Sequence, residues 1–416
     1  MRRATARGRR LDLAVTEYAS ALPERDRAFV RELTYGVTRL QGRLDYLLAR
    51  HVRRGLAGLE APLLEVLRLG AYQLLYMDAV PDYAAVSQSV ELARGVSGKG
   101  GAGLVNAVLR RVAETGDDLS LFPDFDTDPA AFLETWGSHP RWLVDRWLSR
   151  WTPAAVRRLV EFDNTPPDLF LVPLEHDAAV AAEHLARVGI AAEPVGRRSN
   201  CLRLARGSDP GRALEALPAV IQDPGANLVT VHADIPSGTK VADLCAAPGG
   251  KALVLSTRAE FVVAADPSQR RLHLVRENAD RTRRRLGLVR ADARRPAVAG
   301  ADVVLVDTPC TGTGTLRRHP DGKWRLGPRD VEKMAALQSE ILQGAASAVA
   351  PGGLLVYATC SLEPEENEER IAAFLGVHPE FRLEPGPGGG GDGLLRVLPQ
   401  ENGFDGAFAA RLRRAS

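Results

Sequence analysis

The stretch Val241–Lys251, VADLCAAPGGK, decides the fold of this chain, because in it a short apolar run leads into a glycine turn. A helical pattern begins at Ala252, directly after the turn. Strand, glycine turn and helix in this order are typical of a parallel α/β sheet that binds a nucleoside, since small residues let backbone amides approach a ligand closely. We therefore predict an α/β Rossmann-like domain. Its candidate cofactor-binding loop comprises Cys245, Ala246, Ala247, Pro248, Gly249, Gly250 and Lys251.

Two acidic residues further along the chain support a nucleoside pocket. Asp266 ends the apolar run Phe261–Ala265, and Asp292 ends the strand-like run Leu288–Ala291. Carboxylates at such strand ends accept hydrogen bonds from ribose hydroxyls or an adenine amino group. Taken singly, either acid could cap a loop, but with the glycine turn they favour adenosine. No Lys-Ser or Lys-Thr follows the glycines at the spacing of a nucleoside triphosphatase, so a ligand without phosphates fits better.

Two further apolar runs each end in a polar loop that contains a cysteine. The first run leads into Asp307–Gly314 (DTPCTGTG), and the second leads into Tyr357–Ser361 (YATCS). Because the carboxyl ends of parallel strands lie at one edge of a sheet, we predict that Asp307, Cys310 and Cys360 converge there. Taken singly, either cysteine could be a small core residue.

A thiol and a carboxylate at this edge suit chemistry on a pyrimidine. Carbon 5 of cytosine is a poor nucleophile, and adding a thiolate to the adjacent carbon 6 activates it. We predict Cys360 as the attacking thiol, placed before a capped helix start at Ser361–Glu366 whose dipole favours a thiolate while the acidic neighbours oppose it. Asp307 is placed to hold the Watson–Crick edge of the base as charge develops.

A base that has left its stack needs a pocket with cationic and aromatic walls. The segment Arg317–Trp324 (RRHPDGKW) offers both kinds of side chain shortly after the first cysteine loop. The candidate substrate-binding residues are Arg317, Arg318, His319, Lys323 and Trp324.

The length of 416 residues exceeds what one hydrophobic core usually organises, so several domains are expected. The first 135 residues have apolar positions at helical spacing, with the clearest stripes over Leu11–Leu22, Leu63–Leu75 and Leu104–Val112. Tryptophan-rich turns and short strand-like runs follow. We predict an all-α domain over residues 1–135, a small α+β connector over 136–222 and the Rossmann-like domain over 223–416.

Composition narrows the class of protein. A content of 45% hydrophobic and 25% charged residues is ordinary for a soluble protein, and no apolar run reaches the roughly 18 residues of a membrane span. We therefore expect no association with a membrane. The four cysteines have neither the close paired spacing of a zinc site nor the density of a disulfide scaffold, so we expect free thiols, no metal and a cytoplasmic location. The net charge of +2 does not indicate a nucleic-acid partner, although clusters at Arg2–Arg10 and Arg281–Arg285 can neutralise phosphates. A monomer is the default expectation.

Four motifs together resemble the Sun/Fmu/RsmB family of bacterial ribosomal RNA cytosine-C5 methyltransferases. The motifs are Asp243–Lys251 (DLCAAPGGK), Asp307–Gly314 (DTPCTGTG), Arg317–Trp324 (RRHPDGKW) and Tyr357–Asn367 (YATCSLEPEEN). The helical part resembles the NusB-type RNA-binding domain of that family through Pro81–Arg94 (PDYAAVSQSVELAR). The resemblance covers nearly the whole chain.

The resemblance implies an S-adenosylmethionine-dependent enzyme that forms 5-methylcytosine in RNA, most naturally in small-subunit ribosomal RNA. It implies that Cys360 is the nucleophile and that Cys310 assists release of the methylated product. It also implies cofactor contacts at Cys245–Lys251, Asp266, Asp292 and Asp307.

Two other functions stay open at this point. Transfer RNA could be the substrate, or the chain could be a non-catalytic RNA-binding or ribosome-assembly factor. Departures from the family pattern at Phe170–Pro173, Gln222–Gly225 and Gly403–Ala410 motivate the second alternative.

Overall fold

The computed structural model describes residues 10–196, 198–389 and 391–416. The chain divides into two compact units, of which the first extends to Pro166 and also includes Leu316–Leu326. The second unit consists of Pro167–Thr315 and Gly327–Ser416. Except for Arg10, the predicted N-terminal arginine cluster lies outside the described residues. Within the described ranges, no helix combines the length and the apolar character needed to cross a membrane.

The first unit is helical, as the sequence predicts. Its α-helices before Pro166 are α1 (Leu11–Ala19), α2 (Glu24–Arg39), α3 (Gln41–Ala49), α4 (Ala61–Tyr76), α5 (Asp82–Thr115), α6 (Pro129–Thr135), α7 (Arg141–Leu148) and α8 (Pro153–Asp163). The last helices of this unit lie beyond residue 135, so the compact unit extends past the predicted boundary of the all-α domain. Short 3₁₀ turns occur at Leu56–Gly58 and Leu119–Leu121.

The core of the first unit forms where α4 packs on α5. Leu67 of α4 and Leu109 of α5 are both fully buried in it, which confirms two of the predicted apolar stripes as core faces. Helix α5 is interrupted at Gly98, where φ is +67°. That conformation is open mainly to glycine and explains why the long helix is broken there.

The second unit begins with a small antiparallel sheet that corresponds to the predicted connector. Its strands β1 (Phe170–Pro173), β2 (Ala192–Val195), β3 (Cys201–Leu204) and β4 (Ala219–Ile221) lie in the order β2-β3-β1-β4, with helices α9 (Ala178–Arg187) and α10 (Pro210–Ala216) between them in sequence. The segment Phe170–Pro173, which departs from the family pattern, is the fully buried strand β1.

The remainder of the second unit contains the large sheet. Its strands are β5 (Lys240–Asp243), β6 (Phe261–Ala265), β7 (Gly287–Val289), β8 (Ala301–Asp307), β9 (Val349–Thr359), β10 (Phe381–Leu383), β11 (Leu394–Val397) and β12 (Ala407–Arg414). The helices are α11 (Pro224–Ala233), α12 (Gly250–Leu255), α13 (Gln269–Arg281), α14 (Pro328–Ala348), α15 (Glu368–Val377) and α16 (Pro399–Asn402).

The large sheet is mixed, which corrects the expectation of a parallel sheet. Its order is β10-β12-β9-β8-β5-β6-β7, with β11 paired to β12. Strands β9, β8, β5, β6 and β7 are parallel, whereas β12 runs antiparallel to β9, β10 and β11. The connection between β11 and β12 is too short for the crossover that a parallel pair requires, so these strands pair as antiparallel neighbours.

Both faces of the parallel strands are buried, and alternate residues divide between two cores. Val303 and Leu354 lie in one core, whereas Val304 and Leu355, the next residue on each strand, lie in the other. This period of two fixes the register of β8 against β9, in which Asp307 pairs with Ala358. The loops that follow these two strands are therefore held at one edge of the sheet.

Two of the segments that depart from the family pattern meet each other. The Asp223 carboxylate accepts hydrogen bonds from the backbone N–H of Gly225, at 2.8 Å, and of Asp405, at 3.0 Å. A β-carbon at residue 225 would come within 2.1 Å of the Asp405 carbonyl oxygen, so only glycine fits there. These departures therefore occupy packed structural positions.

Candidate active site

The predicted cofactor-binding loop connects β5 to α12. Gly249 adopts a φ of +107°, and a β-carbon there would lie 3.2 Å from the Val275 side chain of α13. Both the backbone conformation and the close approach require glycine. The loop therefore packs tightly against α13, and the first turn of α12 begins at Gly250.

Asp266 follows β6 and is almost completely buried. One carboxylate oxygen accepts the Ser268 backbone N–H at 2.9 Å, and the other lies 3.3 Å from the Arg271 guanidinium. Arg271 also donates to the Ala247 carbonyl oxygen at 2.6 Å. This arginine thus joins the predicted acid to the predicted loop.

Asp243, at the end of β5, is a functional candidate that the sequence reasoning missed. It is fully buried, and burial, followed by the charge of Asp307, raises its pKa to about 7. One oxygen accepts the Cys245 backbone N–H at 3.3 Å, and the other has no hydrogen-bond partner among the described residues. A buried oxygen without a hydrogen-bond partner is a candidate acceptor for a ligand group. The signal was available, because an acid ends this apolar strand just as Asp266 ends the next one.

Two other predicted residues are Cys245, in the cofactor-binding loop, and Asp292, further along the sheet. Burial, reinforced by the charge of Asp243, raises the pKa of Cys245, so its thiol is held neutral. Asp292 follows β7 and is partly exposed, and its carboxylate pairs with Arg294 at 2.7 Å. Hydrogen bonds from Arg294 lower the pKa of Asp292. The predicted strand before it is shorter than expected and ends at Val289.

Asp307 and Lys251 form an ion pair at the edge of the sheet. The Lys251 ammonium donates to one Asp307 carboxylate oxygen at 2.6 Å. Burial acts to lower the pKa of Lys251, but the charge and hydrogen bond of Asp307, together with the charge of Cys360, outweigh it and raise that pKa. The cofactor-binding loop and the loop after β8 are therefore joined by a fixed pair of charges.

The two cysteines lie side by side. The sulfur atoms of Cys310 and Cys360 are 3.3 Å apart, and both residues are half-buried. The hydrogen bond to Cys360, together with burial, raises the pKa of Cys310, so this residue stays a neutral thiol beside its neighbour. Cys310 follows β8 and Cys360 follows β9, and the parallel register of those strands brings them together.

The helix start predicted directly after Cys360 is wrong. Residues Pro364–Glu366 form a 3₁₀ turn, and α15 begins only at Glu368. Glu366 is turned inward, where its carboxylate accepts hydrogen bonds from both cysteine loops instead of capping an exposed helix. The expected stabilisation of a thiolate by a helix dipole therefore lacks its structural basis at Cys360.

The predicted substrate-binding residues belong to the first unit, whereas the two cysteines belong to the second. Lys323 is 1% exposed, and its ammonium donates to the Asn164 side-chain oxygen at 2.7 Å and to the Arg39 and Ser138 carbonyl oxygens at 3.2 and 3.4 Å. Burial lowers its pKa to about 7. Contact between these residues and RNA remains a prediction.

The neighbours of Lys323 are engaged in the same unit. The Trp324 indole N–H donates to the Thr38 carbonyl oxygen at 2.7 Å. Arg317 donates to the Pro166 carbonyl oxygen at 2.8 Å and stacks over the ring of Phe162. His319 is half-buried, and burial lowers its pKa. Arg318 is also half-buried.

The arrangement in the second unit combines three chemical elements. A neutral thiol contacts a second thiol, a carboxylate is paired with an ammonium, and a buried carboxylate with one unpartnered oxygen ends the strand that leads into the predicted cofactor-binding loop. Among the residues that the structure describes, no group of three or more His, Cys, Asp and Glu side chains could hold a metal ion. Such a site suits nucleophilic attack by sulfur on an electrophilic ring.

Two protein-family models match two separate parts of the chain. Residues 233–413 match the model described as 16S rRNA methyltransferase RsmB/F, and residues 2–114 match the NusB family. The expectation of a NusB-type helical part and a Rossmann-like methyltransferase part is confirmed.

Curated relatives match along almost the whole length of the chain. The chain is 33% identical to the probable ribosomal RNA small subunit methyltransferase B of Bacillus subtilis over 95% of this chain and 92% of that protein. It is 32% identical to ribosomal RNA small subunit methyltransferase B of Yersinia pseudotuberculosis over 97% of this chain and 94% of that protein. The crystal structure of a protein named PH0851 shares the fold, with a TM-score of 0.78 and 24% identity over 96% of this chain and 93% of that one.

Proposed function

The chain belongs to the RsmB/F family of 16S rRNA methyltransferases, and from this premise we propose that it methylates carbon 5 of a cytosine in small-subunit ribosomal RNA. The observation that carries the proposal is the pair of sulfur atoms 3.3 Å apart beside the Lys251–Asp307 ion pair. The match of residues 2–114 to the NusB family supports RNA docking by the helical part. Transfer RNA stays the alternative substrate.

The methyl donor of this family is S-adenosylmethionine, and the residues of the second unit fit its nucleoside portion. When bound, it supplies an electrophilic methyl group. Asp266 presents a carboxylate at the end of β6 for ribose hydroxyls, and the unpartnered oxygen of Asp243 offers a second acceptor. The glycine turn at Gly249, whose φ of +107° requires glycine, connects β5 to α12 directly before the first backbone N–H groups of that helix.

In the first step, the Cys360 thiolate adds to carbon 6 of the target cytosine. A sulfur–carbon bond forms, and the electrons of the carbon 5–carbon 6 double bond shift so that carbon 5 becomes nucleophilic. Carbon 5 then forms a bond to the methyl group while the bond between that methyl carbon and the sulfonium sulfur of the donor breaks, and the sulfur leaves with the electron pair as an uncharged thioether. Asp307 holds the Watson–Crick edge of the base during this step, and Lys251 fixes the direction of that carboxylate.

In the second step, solvent water takes the proton from carbon 5, the electrons of that carbon–hydrogen bond form the carbon 5–carbon 6 double bond again, and the bond from Cys360 to carbon 6 breaks so that the sulfur leaves as a thiolate. Cys310 is the assisting residue, because its sulfur contacts that of Cys360. Its pKa, which the neighbouring thiol and burial raise, keeps it from competing as a nucleophile. The geometry therefore supports different roles for the two thiols, in which Cys360 attacks the ring and Cys310 assists release of the product.

The decisive experiment replaces each cysteine separately. With a 16S ribosomal RNA transcript and labelled S-adenosylmethionine, Cys360→Ala is expected to abolish methyl transfer, because no nucleophile remains. Cys310→Ala is expected to accumulate a covalent protein–RNA adduct visible as a shifted band on a denaturing gel.

Cys201→Ala, at a buried cysteine in β3, serves as the control. Full activity of Cys360→Ala would refute the proposal, and cofactor binding by the wild type without any transfer would favour a non-catalytic RNA-binding factor.

A further inference from the structure

Glu366 lies beneath both cysteine loops and is fully buried. One of its carboxylate oxygens accepts hydrogen bonds from the Thr311 hydroxyl and from the Ser361 hydroxyl, the latter at 2.6 Å. The other oxygen accepts the Thr311 backbone N–H and the Gln338 side-chain N–H, each at 2.9 Å. A single carboxylate thus receives four hydrogen bonds from three separate segments of the second unit.

These partners are the immediate neighbours of the reactive groups. Thr311 follows Cys310, and Ser361 follows Cys360. Gln338, from the middle of α14, donates at 2.9 Å to the carbonyl oxygen of Pro309 as well. The loop that carries Cys310 is therefore fastened on both sides of the cysteine, and the loop that carries Cys360 is fastened to the same carboxylate.

We propose that Glu366 is a positioning residue that sets the distance between the Cys310 and Cys360 thiols by binding both of their loops. The expected change in the rate of methyl transfer rests on the proposed function. The distance between the two sulfur atoms, in contrast, does not depend on any substrate. Glu366 contacts neither sulfur through its hydrogen bonds, so it acts through Thr311 and Ser361.

The hydrogen-bonding pattern predicts which substitution is tolerated. In Glu366→Gln, the amide oxygen can accept the Thr311 and Gln338 N–H groups, while the amide nitrogen faces two hydroxyls, which can accept hydrogen bonds as well as donate them. The displaced hydroxyl protons have other acceptors, since the Thr311 and Ser361 oxygens lie 3.1 Å apart and Thr313 lies 3.3 Å from Ser361. In Glu366→Ala, all four hydrogen bonds to this carboxylate are lost at once, and with them the link between the two cysteine loops.

The first measurement follows methyl transfer in Glu366→Ala, Glu366→Gln and Gln338→Ala. We expect kcat to fall about 100-fold in Glu366→Ala with the KM for S-adenosylmethionine unchanged, since a displacement of about 1 Å at reacting groups costs that much. Glu366→Gln should recover kcat to within about 5-fold of the wild type, and Gln338→Ala should lose about 10-fold. Glu369→Ala is the matched control, because this glutamate of α15 is exposed.

The second measurement needs no methyl transfer. Diamide accepts two electrons and two thiol protons, becoming a hydrazine, while Cys310 and Cys360 form a sulfur–sulfur bond. Thiols held 3.3 Å apart should react quickly, and the rate, followed by mass spectrometry of the cysteine peptides, should fall at least about 10-fold in Glu366→Ala. If the wild-type protein transfers no methyl group but forms the disulfide faster than Glu366→Ala does, the proposed function fails while the role of Glu366 stands.

Two results would overturn the inference. One is a Glu366→Ala protein that matches Glu369→Ala in both kcat and disulfide rate. The other is a Glu366→Gln protein as impaired as Glu366→Ala. That result would show that Glu366 acts through its negative charge and not by holding the two loops in position. Should Glu366→Ala fail to fold, Glu366→Gln and Gln338→Ala still give both measurements, and equal loss in the two would count against positioning.

Discussion

Lys323 is fully buried and Lys251 is largely buried, with 13% of its side chain exposed, and both were predicted from the sequence to contact a ligand. Lys251 faces the carboxylate of Asp307 at 2.6 Å, and its pKa is raised. Lys323 faces two carbonyl oxygens and an amide oxygen, and burial lowers its pKa to about 7. The same side chain is thus a fixed positive charge in one unit and a titrating hydrogen-bond donor in the other. The function of a lysine in the protein interior therefore depends on whether an anion is buried beside it.

The largest expected effect comes from removing the charge of Lys251. Lys251→Met keeps the length of the side chain but leaves the Asp307 carboxylate without its cation. We expect kcat for methyl transfer to fall on the order of 1,000-fold, about 4 kcal/mol in the barrier, as for loss of one preorganised polar group in an active site. Single-turnover transfer to a 16S ribosomal RNA transcript measures this effect. Lys333→Met, at an exposed lysine of α14, is the control, and a Lys251→Met enzyme within 3-fold of that control would break the comparison.

A smaller effect, on stability, is expected at Lys323. Lys323→Ala removes three hydrogen bonds and leaves buried oxygens unsatisfied, which should lower the free energy of unfolding by about 3 kcal/mol. Urea denaturation followed by tryptophan fluorescence measures the loss, and Lys333→Ala should change stability by less than about 0.5 kcal/mol. Unchanged stability combined with weaker RNA binding would instead favour the sequence-based prediction that Lys323 contacts the substrate.

The smallest effect is a dependence of stability on pH. Lys323 has a pKa of about 7 in the folded protein against an ordinary 10.5, so between these values the unfolded chain binds one more proton than the folded one. The contribution of Lys323 to the free energy of unfolding must therefore rise between about pH 7 and pH 10.5, by at most about 1.4 kcal/mol per pH unit. Below about pH 7 this contribution does not change with pH. We expect the free energy of unfolding of the wild type, minus that of Lys323→Met, to increase from pH 7 to pH 9. Parallel pH profiles for the two proteins would show that Lys323 does not titrate in this range.

The two regions also differ in how much of them the sequence predicted. Near Lys251, each predicted residue follows directly on an apolar strand, and parallel strands bring their carboxyl ends to one edge. Local pattern was therefore enough to bring Asp307, Cys310 and Cys360 together. Near Lys323, polar and aromatic residues were interpreted as an exposed pocket wall, but several of them are packed among the helices of the first unit. Composition does not distinguish a binding surface from a buried polar cluster, because both use the same residues.

Glu366 and Asp243 show a second limit. The acidic run after Cys360 was interpreted as a capped helix start, yet Glu366 turns inward and receives four hydrogen bonds from residues that lie between 5 and 55 positions away in the sequence. Asp243 was quoted as part of a strand, and its unsatisfied oxygen became apparent only when its surroundings were known. Hydrogen-bond satisfaction is a property of the assembled neighbourhood, so no local pattern reports it.

By itself the sequence determined the helical first part, the order of strands and glycine turn that makes the second part a methyltransferase fold, and the two loops that carry the thiols. These features depend on short-range periodicity and on conformations that only certain residues adopt. Only the tertiary structure decided that the last strands run antiparallel, that Lys323 is buried in the helical unit and that a single carboxylate fastens both thiol loops. Each of these depends on which distant segments share an interior, and the free energy of a buried charge or hydrogen bond is set by those neighbours.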